Sequence, residues 1–188
     1  LGGHDTVSDQ SKFYIYDTTN PKATLTFIAE NLLSESRAMG DAYTTGGWSA
    51  SDMRQWLNED FLATLPSDLQ AAITEVKKLS DGGPTNKALV STNDKIWIPS
   101  VSEVAISDSH SLSEQGEPYS IFTDNNSRLR SKINENAVSP WWTRSSCYYK
   151  LNNINDDDQY YRLIYTEGQG MTSVNPTEQY GVLVCFCI

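Results

Sequence analysis

The sequence predicts a single α+β domain. Helix signatures gather within the first 105 residues, strand signatures lie toward both ends, and no βαβ alternation runs between them. No internal repeat or low-complexity linker divides residues 1–188, so one domain is the simplest parse.

In chain order, Lys12–Tyr16 and Ala23–Ala29 alternate apolar with polar positions (Phe13/Ile15, Leu25/Phe27) and read as strands. The turn chemistry of Asp17–Pro21 between them predicts a hairpin. Ser49 precedes Asp52 with capping-box spacing, and Met53, Trp56 and Leu57 follow at helical spacing. A second box, Ser67 with Gln70, follows Pro66, and Leu69, Ile73 and Val76 continue its apolar stripe. The strand Lys95–Pro99 leads into a third box, Ser100 with Glu103, with Val101 and Val104 on one face. Ser107–Gly116 is polar and reads as a surface loop, and Ser127–Lys132 as a short basic stretch with helical character. Beyond Pro140 the strand candidates are Trp141–Ser145, Tyr160–Tyr165 and Val182–Cys187. Pairing of the terminal strands would bring the chain ends together.

Apolar residues are 38% of the chain and charged residues 20%, both below the usual share, the difference being made up by Ser, Thr, Asn, Gln and Tyr. Five Trp, ten Tyr and five Phe nonetheless supply a core. A formal net charge of −10 argues against sequence-independent nucleic-acid binding and disfavours docking on an anionic membrane. No run approaches the roughly 18 apolar residues of a membrane helix, so no membrane insertion is expected. Leu1 stands where an initiator Met would be, so a fragment or trimmed product is expected. The three cysteines, Cys147, Cys185 and Cys187, permit at most one internal disulfide. Cys185 and Cys187 lie in an apolar run and are expected to be buried free thiols. Neither His4 nor His110 lies where it would complete a zinc site.

Four blocks carry a resemblance. They are Gly47-Trp48-Ser49-Ala50-Ser51-Asp52-Met53-Arg54-Gln55-Trp56-Leu57-Asn58, Lys95-Ile96-Trp97-Ile98-Pro99-Ser100-Val101-Ser102-Glu103-Val104, Trp141-Trp142-Thr143-Arg144-Ser145, and Gly181-Val182-Leu183-Val184-Cys185-Phe186-Cys187-Ile188. In this order, across about residues 25 to 188, they resemble a bacterial and phage family of unknown-function domains. The last block departs from that family's pattern, with Leu183-Val184 where Arg-Pro is usual. Such domains look like relatives of the C-type lectin and formylglycine-generating-enzyme fold, with two or more helices and small antiparallel sheets. Some are variable proteins of diversity-generating retroelements, in which adenine mutagenesis diversifies a carboxy-terminal coding segment. The resemblance implies a variable, ligand-binding segment over about 141–188, displayed on a virion tail or tip or on a cell surface.

The residues of that segment suit recognition. Eleven of the eighteen residues in Tyr148–Tyr165 are Asn, Asp or Tyr. Between Ser145 and Tyr165 only Lys150 and Gln159 fall outside the set that mutated AAC codons encode. Tyr brings large contact area with few torsions to freeze, and Asn and Asp bring adaptable hydrogen bonding, as in antibody paratopes. The candidate ligand-binding residues are Tyr148, Tyr149, Lys150, Asn152, Asn153, Asn155, Asp156, Asp157, Asp158, Tyr160, Tyr161, Arg162, Ser173 and Asn175. The alternative is a solvated polar loop with no partner.

The expected partner is a protein or other surface ligand, with no cofactor, no metal and no catalytic residue. A calcium-dependent sugar lectin is the first rival, but Asp156-Asp157-Asp158 are adjacent carboxylates that rarely converge on one ion, and Glu117-Pro118-Tyr119 lacks the carbonyl donor of sugar-binding triplets. The second rival is an enzyme of the formylglycine-generating type, with copper on Cys185 and Cys187. Those thiols fall in a terminal core strand, and no phosphate loop or nucleophile–base motif occurs. Trp56, Trp97 and Trp141-Trp142 are expected as core anchors, one of the last pair bordering the binding surface, and Arg144 is expected to bond nearby carbonyls.

Overall fold

The computed structural model describes residues 5–8, 11–17, 25–40, 46–83, 88–107, 114–147, 160–165, 167–168 and 172–188. The architecture is mixed α and β, with short helices and three small antiparallel sheets. The largest sheet has the order β1-β2-β3-β10-β6, built from Asp5–Ser8, Ser11–Asp17, Thr26–Ala29, Cys185–Cys187 and Ile96–Trp97. A second joins β4 (Val76–Asp81) to β5 (Leu89–Asp94), and a third joins β7 (Trp141–Cys147), β8 (Tyr160–Ile164) and β9 (Thr172–Val174) in that order. The helices are α1 (Asp52–Trp56), continued through a π turn at Leu57–Phe61 into α2 (Leu62–Thr64), and α3 (Ser67–Ala72). Among the described residues no helix is long and apolar enough to cross a membrane.

The expected first hairpin forms, with Phe13 opposite Ala29 and Ile15 opposite Phe27. The expected terminal pairing forms too. β10 lies between β3 and β6, with Cys185 opposite both Ile28 and Trp97. Leu25 and Ile188 exchange backbone N–H···O bonds of 3.2 and 3.1 Å. A strand with neighbours on both edges and covered faces needs an unbroken apolar run, and Val182 through Cys187 are all buried. Phe186 stacks on Phe27 at 5.2 Å, and Cys185 and Cys187 are buried free thiols.

The helical region begins later than its sequence suggests. Gly46 and Gly47 both have positive φ (88° and 57°) and lead into a 3-10 turn, Gly47–Ala50. A Cβ on Gly47 would come 2.0 Å from the Asp81 carbonyl oxygen, so this turn sits directly against the end of β4. Ser49 is spent in the turn, donating to the Gly46 carbonyl, and the N-cap is Ser51, whose hydroxyl accepts from Arg54 N–H. Asn58 then ties the helix to β6. Its carbonyl accepts from Lys95 and Ile96 N–H, while its amide donates to the Ile96 carbonyl at 2.8 Å. Arg54 reaches Asp94 at 2.6 Å, and the fully buried Trp48 donates to the same carboxylate at 2.9 Å. Trp48 is thus the core tryptophan of this block, whereas Trp56 only packs against the core from its margin. Val76 opens β4 instead of extending the stripe of α3, which ends at Ala72.

The Ser100–Glu103 box forms reciprocally, Ser100 N–H donating to Glu103 Oε2 (3.0 Å) and Glu103 N–H to Ser100 Oγ (3.1 Å). It caps a single helical turn and not a helix. Ala105 takes a left-handed φ of 56°, Ala105 N–H bonds Ser102 O, and Ile106 N–H bonds Val101 O, a Schellman-type close. Arg128, buried in the 3-10 turn Asn126–Arg128, donates to the Val104 and Ala105 carbonyls (2.6 and 2.9 Å) and finishes that end.

Candidate functional site

In sequence the Tyr/Asn/Asp-rich residues 148–159 lie between β7 and β8, whose sheet is held by buried side chains. Trp141 and Trp142 are both 0% exposed. Trp141 Nε1 donates to the Arg128 carbonyl and its ring lies 6.4 Å from Phe122. Trp142 Nε1 donates to the Arg37 carbonyl at 2.7 Å, with Tyr161 and Tyr180 edge-on to its ring at 6.3 and 5.1 Å. The expectation that one tryptophan borders a binding surface is therefore overturned: β7 is covered on both faces.

Two residues on, Arg144 is also fully buried and anchors the strand through charge. It donates to the carbonyls of Ile98 (2.9 Å), Gln115 (2.6 Å) and Leu79 (3.3 Å) and to Ser80 Oγ (3.0 Å), and pairs with Glu103 Oε2. The other Glu103 oxygen accepts from Lys78 Nζ at 2.6 Å. That ammonium lies 4.4 Å over the Trp97 ring and donates to the Tyr119 hydroxyl (3.3 Å), which also accepts from Trp97 Nε1. Burial alone would raise the Glu103 carboxyl, but Arg144 and then Lys78 outweigh it and hold it at about 2. Ser145 extends the clamp, accepting from Val101 N–H and donating to Gln115 Oε1, while Gln115 Nε2 donates to Asp81. Glu103 and Arg144 are enclosed, so this arrangement holds strands in register and presents no open reacting group.

Above this base, Cys147 pairs with Tyr160 and Ser146 with Tyr161, after an irregularity that begins at Trp142. Residues 148–159 thus connect two paired strand ends. Tyr148, Tyr149, Lys150, Asn152, Asn153, Asn155, Asp156, Asp157 and Asp158 lie outside the described residues. Tyr160 pairs with Cys147 at the start of β8, while Arg162 and Ser173 are direct partners in the β8–β9 ladder, one position out of phase with the Tyr161–Val174 pair. Asn175 is exposed just past β9, its side-chain oxygen accepting from Thr177 N–H (3.0 Å) and Oγ1 (2.8 Å).

Tyr161 does not belong with the ligand-binding residues. It is 1% exposed, opposite the buried Val174, with its ring against Trp142. Its hydroxyl faces Ser51 without meeting hydrogen-bond geometry, and burial pushes the phenol up. Strand alternation explains the error: a run of tyrosines in one strand cannot all face outward. Tyr165, 49% exposed, is an aromatic surface residue just past the opposite end of β8 and stands outside the candidate set. Among the described residues no three His, Cys, Asp or Glu side chains converge as a metal site.

The sequence model of one family, described as a domain of unknown function (DUF6273), matches residues 23–188, and the chain belongs to that family. No curated protein and no solved structure matches the chain. The matched span excludes β1 and β2, which add a hairpin to the β3 edge of the family's domain.

Proposed function

We propose that this member of the DUF6273 family is a non-catalytic ligand-recognition domain of C-type lectin-like fold. It is the variable protein of a diversity-generating retroelement, displayed on a virion or cell surface and binding a protein or other surface ligand without cofactor. One observation carries the reading. The Tyr/Asn/Asp-rich residues 148–159 connect paired strand ends, Cys147 and Tyr160, whose strands are fixed below by buried Trp141, Trp142, Arg144, Tyr161 and Leu163. A recognition surface that changes between copies needs such a base, because exchange of its side chains must not cost the fold.

The test pairs a gene-level and a protein-level measurement. A near-identical template repeat beside a reverse transcriptase gene is expected at the locus, and its absence refutes the retroelement assignment. Replacement of Tyr148, Tyr149, Asn153, Asn155, Tyr160 and Arg162 by Ser together is expected to change stability little, at within about 0.5 kcal/mol per exposed site. Tyr161→Ser alone should cost about 3–5 kcal/mol, as buried aromatic truncations do. If the six-fold variant unfolds in a thermal melt while Tyr161→Ser does not, the recognition surface has been assigned to core residues and the reading fails.

A further inference from the structure

Residues 34–40 run along the 176–180 segment. Met39 and Gly40 N–H both donate to the Pro176 carbonyl, and Arg37 and Tyr180 exchange backbone bonds of 2.9 and 3.1 Å. Between this strap, the first residue of α1 and Lys132 lies a solvent-open hollow of about 970 Å³. Its walls carry two cations, Arg37 and Lys132, and two carboxylates, Glu35 and Asp52, with the Gln179 amide beside them. None of these side chains hydrogen-bonds or ion-pairs with another described residue. Arg37 is nevertheless held, its guanidinium lying 3.9 Å over the ring of Trp56. Stacking fixes the plane of the fork and leaves its N–H edge unspent, so little side-chain freedom remains to be lost when an anion arrives.

We infer that this hollow is a second binding site, for an extended peptide segment carrying both an acidic and a basic side chain. Arg37, supported by Lys132, takes the carboxylate, and Glu35 with Asp52 takes the ammonium or guanidinium. A ligand of one sign meets like charge on half of the wall, and that repulsion makes the site selective. The open shape suits a segment of extended chain better than an enclosed small molecule. None of the residues involved belongs to the 148–175 set, so the site goes beyond the recognition surface proposed above.

The test is calorimetric titration of the protein at physiological salt with three short acetylated and amidated peptides: alternating Glu-Lys, all-Glu and all-Lys. Binding of the alternating peptide at least about tenfold tighter than either control is expected. It should be accompanied by a change in emission from Trp56, because Trp48, Trp97, Trp141 and Trp142 are buried. Arg37→Ala should weaken that binding by at least about tenfold. It should leave the melting temperature nearly unchanged, because the link to Tyr180 is made by backbone. Equal binding of the three peptides, no binding of any, or full affinity in a folded Arg37→Ala variant would each overturn the assignment.

Discussion

Replacing Glu103 by Gln tests the charge cluster that holds β7. The substitution keeps the shape of the side chain and one acceptor but removes the charge shared by Arg144, which is 0% exposed, and Lys78. Two cations are then left beside an uncharged amide, and Ser100 N–H loses a carboxylate acceptor. Removing one partner from a buried ion pair costs about 3–5 kcal/mol. The carboxyl itself gives an independent figure. Its fall from 4.5 to about 2 corresponds to about 3 kcal/mol, at about 1.4 kcal/mol per pH unit. Because the folded value is depressed, this stability is fully present above pH 4.5 and is lost as the pH falls toward 2. Denaturant melts at neutral pH should therefore show the variant about 3–5 kcal/mol less stable, or roughly 6–20 °C lower in melting temperature for a domain of this size. A pH series should show the acid-side decline of the wild type flattened in Glu103→Gln. A loss below about 1 kcal/mol together with an unchanged acid slope would refute the argument that Glu103 is the counter-charge of Arg144. A double variant with Arg144→Met removes the fully buried cation as well, and the difference between its loss and the sum of the two single losses measures the Glu103–Arg144 coupling.

Three further substitutions test the helical block by denaturant melts. Gly47→Ala combines a left-handed φ of 57° with a Cβ 2.0 Å from a backbone carbonyl, and should cost at least about 2 kcal/mol. A change below about 0.5 kcal/mol would mean that the turn against Asp81 relaxes freely. Trp48→Ala should cost about 3–5 kcal/mol and Trp56→Ala clearly less, because Trp48 is fully enclosed and hydrogen-bonded to Asp94 while Trp56 lies at the margin. The reverse order would show that the core has been drawn around the wrong tryptophan.

Apolar periodicity and terminal pairing were legible because backbone geometry and burial act on the same residues in β3, β6 and β10. The β4–β5 hairpin was not. Its inner positions, Lys78 and Ser80, are polar and face Glu103 and Arg144, so the alternation that marks a half-buried strand is missing, while Val76 happens to continue the helical phase of Leu69 and Ile73. Helix α1 was mis-started for a different reason. A hydroxyl at a capping position can serve either a helix or a preceding turn, and only the two positive-φ glycines decide for the turn. The Ser100–Glu103 box was legible as a local pattern, but the second task of Glu103 depends on Arg144, 41 positions away, and no local pattern carries that. The carbonyl-bonding role of Arg144 was anticipated. In the candidate site, composition could not separate Tyr161 from its neighbours, because burial of alternate strand positions depends on what the sheet packs against.

The order β3-β10-β6 also bears on how the chain is made and checked. Synthesis is vectorial, and β10 is the last of these strands to leave the ribosome although it fills the centre of the sheet. Until residues 185–187 emerge, β3 and β6 lack the strand that joins them, and the Leu25–Ile188 pairing, a contact spanning nearly the whole sequence, cannot form. A product ended anywhere upstream, by a stop codon or a frameshift in the Tyr/Asn-rich stretch, lacks its central strand and leaves two unpaired edges for proteases and chaperones to find. Only messages read through to residues 185–187 therefore yield a closed sheet.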